Sequence, residues 1–248
     1  MNMYIKKIKR RVARISQRNM FHIDGNKKIV SFTFDDAPAS AFKAGAEALN
    51  KYNKKGTYYI ALSFLAGQPE NEDLYTVNDL RKSIDDGHEL GCHTYGHIHF
   101  FNTKGKKLIN ENLLKNQQEL KNLNLDVRFE NFSYPFGEQS PAAKKIASGF
   151  YKTCRGTEHG INIGHCDLNN LYAVKLYEKQ HSTDFINSVL DEFNRTGGWL
   201  IFYTHDVCDD FSVFGCSSSY MQAVVDKCIE LEFDIKTISA AAKELNIS

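Results

Sequence analysis

The chain has 248 residues, 42% hydrophobic and 25% charged, with a net charge of +1. That is an ordinary globular composition with enough apolar material for one large core, and it excludes the disordered, fibrous and disulfide-stapled classes. The near-neutral total hides an asymmetry: residues 1–20 hold Lys6, Lys7, Lys9, Arg10, Arg11, Arg14 and Arg18 and no acid, which leaves the remainder near −6.

Within this arm Tyr4, Ile5, Ile8, Val12 and Ile15 recur every three or four residues, which predicts a helix that buries one apolar stripe and turns its cations elsewhere. Such a helix either packs on the body or meets an anionic membrane surface through residues 1–18; nucleic acid is not expected as a partner. No apolar run approaches membrane-spanning length, and the basic start lacks the apolar centre of a secretory signal, so the expected location is the cytoplasm, peripheral at the membrane. Six cysteines without a Cys-x-x-Cys pair read as reduced, mostly buried thiols.

Beyond the arm, residues 21–248 are expected to form a single domain. Short apolar runs at 28–34, 56–62, 89–93, 131–135, 151–155, 171–176 and 199–204 read as strands. Helical patterns fall near 40–52, 77–86, 106–123, 141–148, 183–194 and 219–231, while 156–170 reads as an irregular loop rich in Gly, Asn and His. Alternation of this kind predicts an α/β fold with about seven parallel strands curled into an incomplete barrel.

Residues with chemical potential then cluster at strand ends: Asp35 and Asp36 after the first, His93 after the third, Pro135 after the fourth, Arg155 after the fifth and His205 after the last. Parallel α/β sheets gather ligands and catalytic groups at that edge. One carboxylate with His93 and His97 supplies three ligands for Zn²⁺ or a similar divalent ion, with a position left for water. A helical turn over 93–97 would put both imidazoles on one face, although Gly96 weighs against regular helix. Metalloproteases place a Glu after the first His; Thr94 stands here, so a proton acceptor must come from elsewhere, and the second Asp of the pair can serve. Each motif has a bland reading, a helix cap for the Asp pair and core histidines for the rest, and their convergence is what favours chemistry.

These motifs resemble the polysaccharide deacetylases of the nodulation-factor type, carbohydrate esterase family four. Thr33-Phe34-Asp35-Asp36-Ala37-Pro38 is similar to the family's Thr-Phe-Asp-Asp-Gly-Pro, and His93-Thr94-Tyr95-Gly96-His97 to its His-Ser/Thr-x-x-His. Tyr134-Pro135-Phe136-Gly137 and Tyr203-Thr204-His205-Asp206 resemble two further motifs in the same order. The resemblance implies a distorted (β/α) barrel, Asp35 as general base, His205 as general acid, and Asp36, His93 and His97 as ligands of a divalent metal, zinc being the first expectation. It also implies an oxyanion donor at the Phe136 N–H within Pro135-Phe136-Gly137.

The expected reaction is removal of N-acetyl from an amino sugar, with a lipid- or nucleotide-linked glycan intermediate favoured as substrate. The competing readings are a deformylase or other small-amide hydrolase, and an idle carbohydrate-binding protein. Two positions depart from the pattern: Ala37 replaces Gly, and Ser133 stands where many relatives carry Arg. Arg155, ending the next strand, is expected to replace that cation by contacting Asp35. His99, His159, His165 and Asp167 read as solvated loop residues and Trp199 as core.

Overall fold

The structure, a computed structural model, describes residues 11–65, 74–101 and 105–247. Tyr4, Ile5, Ile8 and four of the arm's cations therefore lie outside the described residues. Seven parallel strands form the main sheet: β2 (Lys28–Asp35), β3 (Thr57–Ile60), β4 (Glu89–Cys92), β5 (Asn131–Ser133), β6 (Thr153–Arg155), β8 (Val174–Lys175) and β9 (Gly198–Thr204). Two short strands, β1 (Met20–Ile23) and β7 (Gly164–Asp167), pair with each other, and β10 (Asp234–Ile235) runs beside the first half of β2.

The main order is β6-β5-β4-β3-β2-β9-β8. Its ends approach each other: Leu171, just before β8, donates its N–H to the Cys154 carbonyl and accepts from the Gly156 N–H, both at 2.9 Å. The sheet is thus curled into the distorted (β/α) barrel expected.

Apolar sequence explains the centre. In β2 every residue from Ile29 to Asp35 is buried, as is all of β9, because helices cover one face and the barrel interior the other. Their register runs unbroken from Lys28–Gly198 to Phe34–Thr204 and brings Asp35 to the same edge as His205. Trp199 is fully buried and donates its indole N–H to Ser31 Oγ at 3.0 Å.

Helices cover the sheet at Ala46–Asn50, Val77–Asp85, Lys106–Asn122, Pro141–Ala147, Thr183–Thr196 and Ser218–Glu230, the first preceded by a π-turn at Ala41–Gly45. Side-chain N-caps start several of them, with a reciprocal Thr76–Asp79 box before Val77. A further helix, Ile238–Glu244, was not expected, nor was β10.

Two expectations are corrected. The stretch 156–170 is not wholly irregular, since β7 lies within it; its Gly, His and Cys residues carry no alternating signal and gain strand geometry only by pairing with β1. Within the arm, residues 11–15 are helical, but Ala13 is the buried residue while Val12 and Ile15 are exposed, Ile15 at 65%. The surface beneath is polar and selects polar partners: Arg14 pairs with Glu158 at 2.8 Å, and Asn169 donates to the Gln17 carbonyl at 2.7 Å.

Candidate active site

At the carboxyl edge of the sheet, β2 ends on Asp35 and the chain turns abruptly. Asp36 and Ala37 both adopt left-handed backbone, φ 54° and 42°, a conformation L side chains resist, and this swings Asp36 toward β4. The family's Gly suits such a position without strain, so Ala37 is accommodated at a cost. After β4, residues 93–97 form a bend rather than a helical turn, because Thr94 (φ 62°) and His97 (φ 45°) are also left-handed. The bend, not a helix face, brings the two imidazoles together.

Asp36, His93 and His97 offer ligand atoms that all lie within 4.8 Å of one another. His97 Nε2 is 3.2 Å and His93 Nε2 3.6 Å from Asp36 Oδ1, which is buried and has no hydrogen-bond partner. His93 Nδ1 faces the Ser133 carbonyl at 2.8 Å and must donate to it, so Nε2 presents its lone pair. Burial pushes His93 down to about 4; burial and the neighbouring His93 push His97 to about 2, so both imidazoles are neutral. Burial beside Asp35 raises Asp36 to about 7. The His93 lone pair, the second imidazole and an orphaned carboxylate oxygen converging on one point fit a divalent cation.

Asp35 is 4% exposed. Burial alone would raise its pKa, but the Arg155 guanidinium holds it below the ordinary carboxylate range. Arg155 Nη2 contacts both the Asp35 carboxylate and Ser133 Oγ, the latter at 2.5 Å, while Nη1 donates to the Gly156 carbonyl at 2.8 Å. The guanidinium lies over the rings of Tyr203 and Tyr59, 4.7 and 5.2 Å from their centroids.

His205 Nε2 lies 3.7 Å from Asp36 Oδ2, the carboxylate oxygen other than the one His93 and His97 approach. Its other nitrogen meets the Tyr177 hydroxyl at 3.4 Å, and burial lowers its pKa. The segment Pro135–Gly137 forms one 3₁₀ turn with Phe136 at φ 58°. Gly137 is left-handed too (φ 59°), and a Cβ there would sit 2.1 Å from Thr157 Oγ1, so only glycine fits.

The site thus brings together Asp35, Asp36, His93, His97, Arg155 and His205, with the Phe136 ring 4.2 Å from that of His97. Of the residues read as solvated, His99 joins the mouth by stacking on Phe136 at 3.7 Å. Asp167 lies away from it, paired with Lys144 at 2.7 Å. Sequence reading missed Tyr177 and Phe214, which carry no motif of their own, and Tyr59, buried in an apolar run.

Comparison with known proteins agrees with this arrangement. The family model for polysaccharide deacetylase matches residues 22–151. The chain belongs to the polysaccharide deacetylase family. Over 72 residues it is 38% identical to a bifunctional xylanase/deacetylase of Pseudobutyrivibrio xylanivorans, a stretch that is 29% of this chain and 11% of that protein. Over 92 residues it is 30% identical to a peptidoglycan-N-acetylglucosamine deacetylase of Bacillus cereus, 37% of this chain and 39% of the relative. The matches therefore span well under half of each curated relative. Among solved structures, a family 4 acetyl xylan esterase from Clostridium thermocellum, in complex with a cobalt ion, superposes with a TM-score of 0.63 at 17% identity, covering 89% of this chain and 93% of that one. At that identity the likeness establishes the fold.

Proposed function

We propose that this member of the family is a metal-dependent hydrolase that removes the N-acetyl group from an amino sugar in a glycan or glycan precursor. One observation carries the reading: a buried carboxylate kept ionised by Arg155 stands beside a two-imidazole, one-carboxylate cradle, with His205 across it. Asp36, His93 and His97 would hold the ion, zinc being the choice that best suits nitrogen and carboxylate donors. Bound there, it would acidify water and polarise the acetamide carbonyl.

The protein's own groups supply the rest. Asp35 takes the proton of the attacking water, and Arg155 keeps it charged and oriented for that. The Phe136 N–H donates to the oxygen that becomes negative as water adds to the carbonyl. His205, reprotonated in turn by the proton that Asp35 took from water, gives a proton to the departing nitrogen, so that acetamide plus water yields acetate and a free amino sugar. Tyr177 holds the imidazole so that Nε2 faces the reacting centre.

Substitution separates these roles. Asp35→Asn should keep stoichiometric metal by elemental analysis and lose most turnover; the His93→Ala, His97→Ala double variant should lose both. Full metal content in the double variant overturns the ligand assignment, and normal turnover in Asp35→Asn overturns the base.

Residues 21–248 form the catalytic domain under this proposal, and residues 1–20 an arm that helps a cytoplasmic enzyme reach a lipid-linked substrate. Exposed Val12 and Ile15 beside Arg11 and Arg18 support an anionic surface as the arm's partner, each cation contributing about 1 kcal/mol near such a membrane. Among the described residues no helix is long and apolar enough to cross one. Equal sedimentation of the whole chain and a truncation lacking residues 1–18 with anionic vesicles would remove this role.

A further inference from the structure

A second cavity opens between the basic arm and the body, and it shares no residue with the catalytic cluster. Arg11, Arg14 and Arg18 line it from the arm, and His165, Asn170 and Tyr172 from the body, around a volume of about 270 Å³. Pockets that enclose a whole drug-sized molecule measure roughly 300–1,000 Å³, so this one suits a single small group.

Three guanidiniums gathered at one cavity repel one another, and the body does not balance them. Glu158 Oε1 accepts from Arg14 Nε at 2.8 Å. Asp167 is already satisfied, by Lys144 at 2.7 Å and by the N–H groups of Asn19 and Asn169 at 2.9 and 3.0 Å. Among the described residues neither Arg11 nor Arg18 has a carboxylate partner, so two cations are left over.

The donors are nonetheless held in place. Arg18 Nε donates to the Arg14 carbonyl at 2.9 Å, which fixes both stems while leaving the paired Nη ends, the fork that takes a phosphate with two hydrogen bonds. The arm itself is pinned to the body: Ala13 is buried, Asn169 donates to the Gln17 carbonyl at 2.7 Å, and the Leu168 N–H donates to the Asn19 carbonyl at 2.8 Å. Asn170, only 5% exposed, has its Oδ1 engaged by Gln139, and its Nδ2 is left to donate, with no partner among the described residues.

We propose that this cavity is a second binding site, for a phosphate group bearing about two negative charges: a phosphomonoester or the terminal phosphate of a diphosphate. At neutral pH a phosphomonoester carries about −1.5 to −2, which matches the two unbalanced guanidiniums. Ile15, Met20 and Tyr172 are exposed and line the same cavity, so the apolar part of an amphiphile finds a place beside the charge, and lipid headgroup and dissolved phosphate share the recognising chemistry. The site depends neither on the reaction at Asp35 nor on diffuse attraction of the arm to a membrane, because diffuse attraction responds to total surface charge while a cavity reads one group.

Two measurements on the full chain read the site: sedimentation with phosphatidylcholine vesicles doped with phosphatidate or, at matched surface charge, with phosphatidylglycerol, and calorimetric titration with inorganic phosphate. Phosphatidate preference, solution phosphate binding or both should appear, and should weaken about tenfold for each arginine lost in Arg11→Gln and in Arg11→Gln, Arg18→Gln. Arg11 has no hydrogen bond or ion pair among the described residues, so its substitution removes a ligand contact and leaves the fold alone. A preference that inorganic phosphate competes away assigns both sources to the site; a preference without solution binding assigns the lipid headgroup, and solution binding without a preference assigns the soluble ligand. Equal binding of the two vesicle types with no phosphate binding in solution would overturn the proposal. So would a preference or a phosphate affinity unchanged in the double variant, which is the result expected if phosphate sits at Asp36, His93 and His97 instead.

Discussion

Arg155 reaches the Asp35 carboxylate from the strand beside the one that carries Ser133. Ser133 and Arg155 are direct register partners in β5 and β6, and the same guanidinium nitrogen also meets Ser133 Oγ. A cation absent from one strand can therefore be supplied by its parallel neighbour at the same height, because adjacent strands lie only about 4.8 Å apart. The short serine leaves room for the longer reach.

Removing Arg155 should expose how much Asp35 depends on it. Without the guanidinium, burial dominates and the Asp35 pKa rises, so the acidic limb of the kcat/KM profile should move to higher pH and turnover should fall by about 10²-fold or more. Arg155→Ala also strands a buried carboxylate, at a cost of about 3–5 kcal/mol in stability. Arg155→Lys retains a charge and should fold while showing the same direction of shift, which a pH–rate profile measures. An unmoved limb in both variants would contradict this role.

Asp36 has the opposite sign. Its folded-state pKa, about 7 in the metal-free protein, lies above the ordinary 3.8, so the stability it contributes is complete below pH 4 and is lost as pH rises through 7. Chelated protein should therefore weaken across that window, and Asp36→Asn, which cannot ionise, should be more stable than the chelated parent at pH 8 by about 2–4 kcal/mol. Denaturant titrations at pH 5 and pH 8 read the difference. Added divalent ion should reverse the effect in the parent and leave the Asn variant unchanged.

Tyr177→Phe removes the hydroxyl that meets His205 Nδ1 and keeps the buried ring. The folded protein should survive with stability lowered by about 1 kcal/mol, while kcat falls roughly tenfold with KM little altered, if His205 is the proton donor and only its orientation changes. A rise in KM at constant kcat would instead place Tyr177 in substrate binding.

Gly137→Ala forces a Cβ against Thr157 at a left-handed position. The turn must shift, so activity should drop by about 10²-fold through displacement of the Phe136 N–H, a larger effect than the expected 1–2 kcal/mol on stability. Thr157→Ala in the same protein removes the obstructing hydroxyl and should recover part of the rate; no recovery would show that the hydroxyl collision is not the cause.

The motif residues were legible because each ends an apolar run that the sheet buries, and burial on both faces leaves little freedom over where the strand stops. Arg155 was within reach because parallel register is nearly uniform across β5 and β6. Less visible were features set by backbone handedness: nothing in His93-Thr94-Tyr95-Gly96-His97 distinguishes a left-handed bend from a helical turn before Thr94 and His97 are placed. Phe214 meets His205 through the return of the loop after β9, and Tyr177 through the parallel register of β8 beside β9, two non-local approaches with no periodic signal. Of the arm's two readings, packing of its apolar stripe on the body is not what Val12 and Ile15 do: both stay exposed, while Arg14 and Gln17 meet Glu158 and Asn169.

The central claim, that Asp35 and its neighbours hydrolyse an acetamide on an amino sugar, is tested most directly by mass spectrometry of an N-acetylglucosamine oligomer incubated with the metal-loaded enzyme. The account predicts a loss of about 42 daltons for each acetyl replaced by hydrogen, with acetate released in equal amount, and neither change with Asp35→Asn or chelated enzyme. An unchanged oligomer mass with fully metal-loaded, folded enzyme, or the same loss from the Asp35→Asn protein, would contradict it.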